Sequence, residues 1–463
     1  MIFRAAPPGT GGNQSRIVRV SLGMAGYGWE WVEAEVERTA AEWEACAAAR
    51  APEARRYSAR EHRERERAYD RALNDVEKEA KRVRRRARFG ARAQDGAQER
   101  ITAAFARFSA EALGLGEDAV GLLTDDFLPV GTQLARWARA FDPDLPMEGI
   151  VQACRNAWTA CGLQPLLGER IRLTPAILGY SLLYPYSDNQ LDRVDLPAEE
   201  KLAGSRRFRE RLQGDSMAAA NAWERAVWEL VGLVEGQYPR ALYPQVFDCL
   251  LAIHRAQEQS LRQLRADCSG TELLRLSCTK GGTSVLADAC LAQPELTEAE
   301  SRFGFAWGVL LQLGDDLQDI EDDVRRGSAT LFSTAAHRGE CLDGLVIQLL
   351  QFAERVGAQM ETLPHRNPML QDLLRMSWRS LILMAVAESH LYFSPEFLRE
   401  AEAWSPFRFG FLRERRVRLA GRRGLYANLF ELFLAGKEEG SGQLPAVRNP
   451  MELAACVAPA QVA

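Results

Sequence analysis

The sequence contains no apolar run of the roughly 18 residues that a membrane-spanning helix requires. Its nine cysteines include no CxxC pair and no Cys/His cluster. That argues against a zinc site or a disulfide framework and for reduced thiols in a cytoplasmic protein. Charge of neither sign dominates: 58 basic against 63 acidic residues leave a net −5, and nothing global indicates a nucleic-acid partner. The opening residues, Met1 to Arg4 followed by Pro7, Pro8 and Gly9, lack the apolar core of a secretory signal and are expected to form a loose tail. No stretch alternates polar and apolar residues as a half-buried strand would, and no repeat recurs at a fixed period. Histidine is scarce, and His254 and His390, both in helical segments, are expected to be structural.

What remains is helix. Apolar residues make up 47% of the chain and charged residues 26%, which suffices for a sizeable core. From about Trp29 to Gly114 the chain is rich in Ala, Glu and Arg, with Pro52 its sole proline, a composition that favours long exposed helices. From about residue 118 apolar-periodic segments follow one another, punctuated by Pro143, Pro165, Pro197, Pro239, Pro294, Gly327, Pro364, Pro395 and Pro406. The expected fold is all-α. A charged helical extension would occupy 1–117, a helical body 118–436 and a loose tail 437–463.

One stretch of that body, Gly314 to Asp323, places five aspartates in ten residues. On a helix of 3.6 residues per turn, Asp315, Asp316, Asp319, Asp322 and Asp323 share one arc. Leu310, Leu313, Leu317, Ile320 and Val324 share the opposite arc, a core stripe. Like charges one turn apart weaken a helix by roughly 0.2–0.5 kcal/mol per pair, so a band this dense calls for a cation. A hard divalent ion suits carboxylate oxygens, and Mg²⁺ is commonly held by a few carboxylates together with substrate phosphate. A second acidic cluster lies upstream. If helical, its Asp188, Asp192 and Asp195 fall on one face, and Pro185 and Pro197 bracket it at a helix end, where a cleft would be lined.

These two motifs, DNxxD at 188–192 and DDxxD at 315–319, resemble those of the class I isoprenoid synthase superfamily. That group includes trans-prenyl diphosphate synthases, squalene and phytoene synthases and class I terpene cyclases. The run Gln312 to Asp319 with Asp322 and Asp323 is similar to the second aspartate-rich motif of prenyl diphosphate synthases, and Arg325-Arg326-Gly327 to phytoene synthases. Thr279-Lys280-Gly281-Gly282-Thr283 stands where the family has a helix break whose lysine contacts diphosphate. Lys280 is a point charge suited to phosphate, and two glycines would let the helix bend.

The resemblance implies a class I isoprenoid-synthase-type helical bundle, with the two acidic helices facing each other across a central cavity. Mg²⁺, usually three ions, would lie among Asp188, Asn189, Asp192, Asp315, Asp316, Asp319 and Asp323. Lys280, Arg325 and Arg326 would hold the diphosphate of a prenyl substrate. The activity implied is ionisation of a prenyl diphosphate, then cyclisation, rearrangement or quenching of the cation in an apolar, aromatic pocket. Tyr180, Leu183, Tyr184, Phe305 and Trp307 are the expected lining.

The chain departs from the family at Asn189, an uncharged ligand, and in lacking a GGKRxRP segment; Gly168 to Arg172 is the nearest run. Its second motif also departs from the NSE form of terpene cyclases. Two alternatives stay open: a prenyltransferase joining two prenyl units, whose chain Tyr184 would keep short, and a non-catalytic relative that binds isoprenoid diphosphates. A homodimer is left open too. Two basic runs complete the picture. Lys78 to Arg92 is either a solvated helix face or a contact with an anionic membrane surface. Arg413, Arg415, Arg416, Arg418, Arg422 and Arg423 form either a solvated face or a cap over the diphosphate.

Overall fold

The structure, a computed structural model, describes residues 27–47, 50–87, 96–192, 197–260 and 268–434. The expected loose tails, Asp195, Arg88 and Arg92 lie outside the described residues. So do the side chains of Arg86, Tyr184, Asp188, Asn189 and Asp192, although their backbone is helical. Every regular element among the described residues is a helix, as the sequence predicts. None of these helices is long and apolar enough to cross a membrane.

The chain begins with α1 (Trp29–Glu44), the long α2 (Ala59–Ala87), α3 (Ala97–Arg107) and the short α4 (Glu117–Gly121). It continues through α5 (Leu128–Phe141), α6 (Met147–Leu166), α7 (Pro175–Asp192), α8 (Ala198–Gln213), α9 (Ala222–Gln237) and α10 (Pro244–Ser260). The central pair is α11 (Gly270–Ala292) and α12 (Glu298–Gln318), followed by α13 (Ile320–Arg326) and α14 (Leu331–His337). Last come α15 (Asp343–Glu361), α16 (Pro368–Glu388), α17 (Pro395–Trp404), α18 (Phe409–Ala420) and α19 (Arg423–Leu434).

Local chemistry sets the starts of the central pair. Ser269 with Glu272, and Thr297 with Glu300, form reciprocal capping boxes that satisfy backbone N–H groups which the first helical turn cannot. Beyond Ser277, α11 is buried on almost every side. A helix apolar all round must be surrounded by protein, and α1, α6, α10 and α12 enclose this one.

Gly281 and Gly282 do not break α11, contrary to the expected bend: the helix runs through them without interruption. They serve packing instead. The Gly281 backbone lies directly against the Gly308 carbonyl of α12, and the Phe305 ring covers Gly282. The interruption falls on α12. Asp319 leaves the helical region with φ −94° and ψ 10°, and α13 starts anew at Ile320. The expected apolar stripe therefore loses register beyond the break, and Val324 is exposed.

The first and the late described helices pack back onto the others. Trp31 of α1 sets its ring edge-on to Phe305, and the Tyr27 hydroxyl lies 2.7 Å from Ser301 Oγ. Acids of α2 meet the late arginines: Glu66 with Arg408, Asp70 with Arg415, and the buried Glu77 with both Arg418 and Arg422. Several arginines of the C-terminal run are thus paired with α2. His254 is buried, with Nε2 3.1 Å from the Ser205 carbonyl, which suits a structural role.

Candidate functional site

Helices α6, α11, α12 and α16 enclose a cavity of about 310 Å³. Small-molecule sites run from roughly 300 to 1,000 Å³, so it lies at the lower end of that range. Gly281 and Gly308 both line it, so α11 and α12 bring backbone to its wall. Trp158 of α6 and Trp378 of α16 supply aromatic surface, and Val285, Leu311 and Leu381 apolar surface. The remaining wall is more polar than expected, with Arg155, Asn156, Asp288, Gln312 and Asp315 among its residues.

Asp315 stands on this lining near the end of α12. Its side chain is 46% exposed, and Oδ1 accepts a hydrogen bond from Arg155 Nη2 at 3.3 Å. The surrounding protein raises its carboxyl above the usual range, a push that its contact with water limits, while Arg155 and Lys280 pull it down. Asp316, expected among the metal-facing acids, turns inward instead. Its carboxylate accepts from Ser277 Oγ at 2.6 Å and from Gln312 Nε2 at 2.8 Å. Burial pushes it up to about 6 against those two bonds.

Asp319, at the helix break, is exposed, yet the protein around it raises its carboxyl, the neighbouring Asp322 adds to the shift, and Arg155, Arg326 and Arg416 oppose it. Asp323 is pushed up to about 7, first by burial and then by the charges of Asp316 and Asp319. Lys280 opposes the shift at Asp315, Asp316 and Asp323 alike. Lys280 therefore lies within electrostatic reach of three acids of the acid-rich stretch.

Of the two arginines expected on diphosphate, Arg326 acts on Asp319 and Asp323, whereas Arg325 pairs with Asp322 at 2.8 Å on the exposed side. Four of the expected pocket residues, Tyr180, Leu183, Phe305 and Trp307, do not line this cavity. Phe305 is fully buried against Gly282, and Trp307 packs at 5.6 Å on Trp378, one layer behind the cavity wall. Tyr180 and Leu183 line a much smaller void shared with Phe208 and Ile253.

Among the described residues no three His, Cys, Asp or Glu side chains converge on a point that could hold a metal ion. The donor chemistry around Lys280 still suits a hard cation. Asp315, Asp319 and Asp323 offer carboxylate oxygens, and burial, with neighbouring acids adding to it, raises all three carboxyls above their usual range. Asp316 does not fit as a ligand while Ser277 and Gln312 hold it.

Three contributors escaped the sequence. Arg155 reaches Asp315 from α6 across 160 positions, with no local signal. Glu388 pairs with Arg416 and carries the late basic run towards Asp319. Asp288 did leave a signal, as a lone acid within the apolar run Val285 to Ala292.

The raised acids make stability depend on pH. A carboxyl held near 6 or 7 in the folded chain, against about 4 when unfolded, binds its proton more tightly in the fold. Its contribution is complete below about pH 4 and is lost as pH rises through about 7. In EDTA, the wild-type melting temperature should therefore fall between pH 4 and pH 7. Asp323→Asn should fall less, by a few degrees, in thermal unfolding followed by circular dichroism. Parallel curves for the two proteins would contradict the assignment.

No protein-family model, no curated protein and no solved structure matches this chain.

Proposed function

We propose that this chain is a Mg²⁺-dependent class I isoprenoid synthase, which ionises a prenyl diphosphate and cyclises, rearranges or quenches the resulting cation. The observation that carries the proposal is Lys280 within electrostatic reach of Asp315, Asp316 and Asp323, with Asp315 on the wall of a cavity that Trp158 and Trp378 also line. Asp315, Asp319 and Asp323 would hold the metal, and Lys280 and Arg326 would meet diphosphate oxygens. The bundle would then be of the isoprenoid-synthase type, with the end of α7 supplying the first motif. When bound, Mg²⁺ supplies charge neutralisation for the departing diphosphate. The two tryptophans offer π-faces to positive charge developing in the cavity.

One observation favours a non-catalytic diphosphate binder. Arg155, Ser277 and Gln312 partner two of the acids, Asp315 and Asp316, with protein hydrogen bonds. Incubating the full chain and Mg²⁺ with geranyl, farnesyl or geranylgeranyl diphosphate, with and without isopentenyl diphosphate, separates the possibilities. Diphosphate released without the co-substrate supports the proposal. Elongation only with it supports a prenyltransferase, and no release in either supports the binder.

A further inference from the structure

Asp288 lies two turns beyond Lys280 on α11, about 12 Å along the helix axis. It is 1% exposed, and its neighbours Leu286, Ala287, Ala289, Cys290 and Leu291 are buried too. It lines the cavity together with Asn156. The Asn156 amide donates to Asp288 Oδ1 at 3.1 Å and to Ser181 Oγ at 3.2 Å, which uses both of its protons. Asp288 Oδ2 has no hydrogen-bond partner. Arg155 is the one cation among the lining residues, and it is engaged with Asp315.

Native proteins rarely leave a buried polar atom unmatched, because doing so forfeits its hydrogen bonds to water. Here the unmatched atom belongs to a residue in the wall of a cavity with room for a ligand. We infer that Asp288 and Asn156 form a hydrogen-bonding subsite in this cavity wall that holds one hydroxyl oxygen, carried by a ligand or by a trapped water. Burial pushes the Asp288 carboxyl well above its ordinary value, which favours its protonated form. A neutral carboxyl both donates and accepts, and so does a hydroxyl. An all-hydrocarbon ligand would leave Oδ2 unmatched, so the cavity favours oxygenated molecules.

The test needs no diphosphate, and it reads out even if the chain releases none. Affinities of the full chain for cyclohexanol and methylcyclohexane are measured by calorimetry, in wild type, Asp288→Leu and Asp288→Asn. The preference for the alcohol should fall about tenfold in Asp288→Leu and hold within about threefold in Asp288→Asn. A preference unchanged in Asp288→Leu overturns the inference. Should that variant fail to fold, crystals of the wild type decide. An oxygen within about 3.2 Å of Asp288 Oδ2 supports the subsite, and Oδ2 bonded to protein atoms alone overturns it. Water in ligand-free crystals, or the alcohol oxygen in crystals soaked with cyclohexanol, identifies the source.

Discussion

Asp315→Asn is expected to slow diphosphate release by on the order of a hundredfold to a thousandfold while leaving the unfolding midpoint unchanged. The two halves of that result have separate causes. An amide in place of the carboxylate removes one negative charge from the group proposed to hold the metal, where charge stabilisation of the leaving diphosphate is decided. For folding, the side chain matters little. Its hydrogen bond to Arg155 spans 3.3 Å between groups 46% and 61% exposed, and such surface pairs contribute about 0–1 kcal/mol. Asp316→Asn should do the reverse to stability. Asp316 is 5% exposed and accepts from both Ser277 and Gln312. An amide keeps an acceptor for Gln312 but presents its N–H₂ to Ser277 Oγ, which must turn its own proton away to accept, at a cost of about 1 kcal/mol. Steady-state diphosphate release and urea unfolding of the two variants check the contrast. Release within threefold of wild type in Asp315→Asn would remove that residue from the site.

The helical class was legible because helix ends carry their own chemistry. Gly327, with φ 70°, stops α13 where the sequence placed a break, and Pro395 opens α17. Such signals are local, and each can be read within a few residues. The acid-rich stretch was legible for the same reason, as a count of carboxylates on one arc. Its interior geometry was not. Whether Asp316 faces a metal or Ser277 depends on a residue 39 positions away, and no period in the sequence encodes that distance. The break at Asp319 was hidden in the same way. The acids around it read as one continuous face, but the chain departs from helical geometry there and α13 takes a new register. Gly281 and Gly282 carried a true signal that admitted two physical uses, a bend or a close approach. Only the position of Gly308 on the neighbouring helix decides between them.

Gly308→Ala should destabilise the protein by about 3 kcal/mol or more, although intrinsic helix propensity argues for the opposite sign. Alanine in a helix interior is favoured over glycine by about 1 kcal/mol, and Gly308 sits in the middle of α12. Packing outweighs that gain. A Cβ on Gly308 would overlap the backbone carbonyl of Gly281 and stand 3.0 Å from Val285 Cβ. Backbone cannot rotate away as a long side chain can, so α11 and α12 would have to separate along their length. Overpacking a core costs typically about 1–3 kcal/mol, and more where backbone must move. Gly304→Ala provides the control one turn earlier on the same helix. Its added Cβ would meet Ala289 Cβ at 3.3 Å, a contact that a shift of a few tenths of an ångström relieves. Gly304→Ala should therefore unfold in urea within about 1 kcal/mol of wild type, while Gly308→Ala shows a midpoint well below both. The consequence extends to the site. Lys280 is adjacent to Gly281, and Asp315 lies two turns along α12 from Gly308. Folded Gly308→Ala should thus release diphosphate more slowly, because the lysine and the acids no longer keep their spacing. Equal midpoints for the two alanine variants would show that α11 and α12 do not meet backbone to backbone.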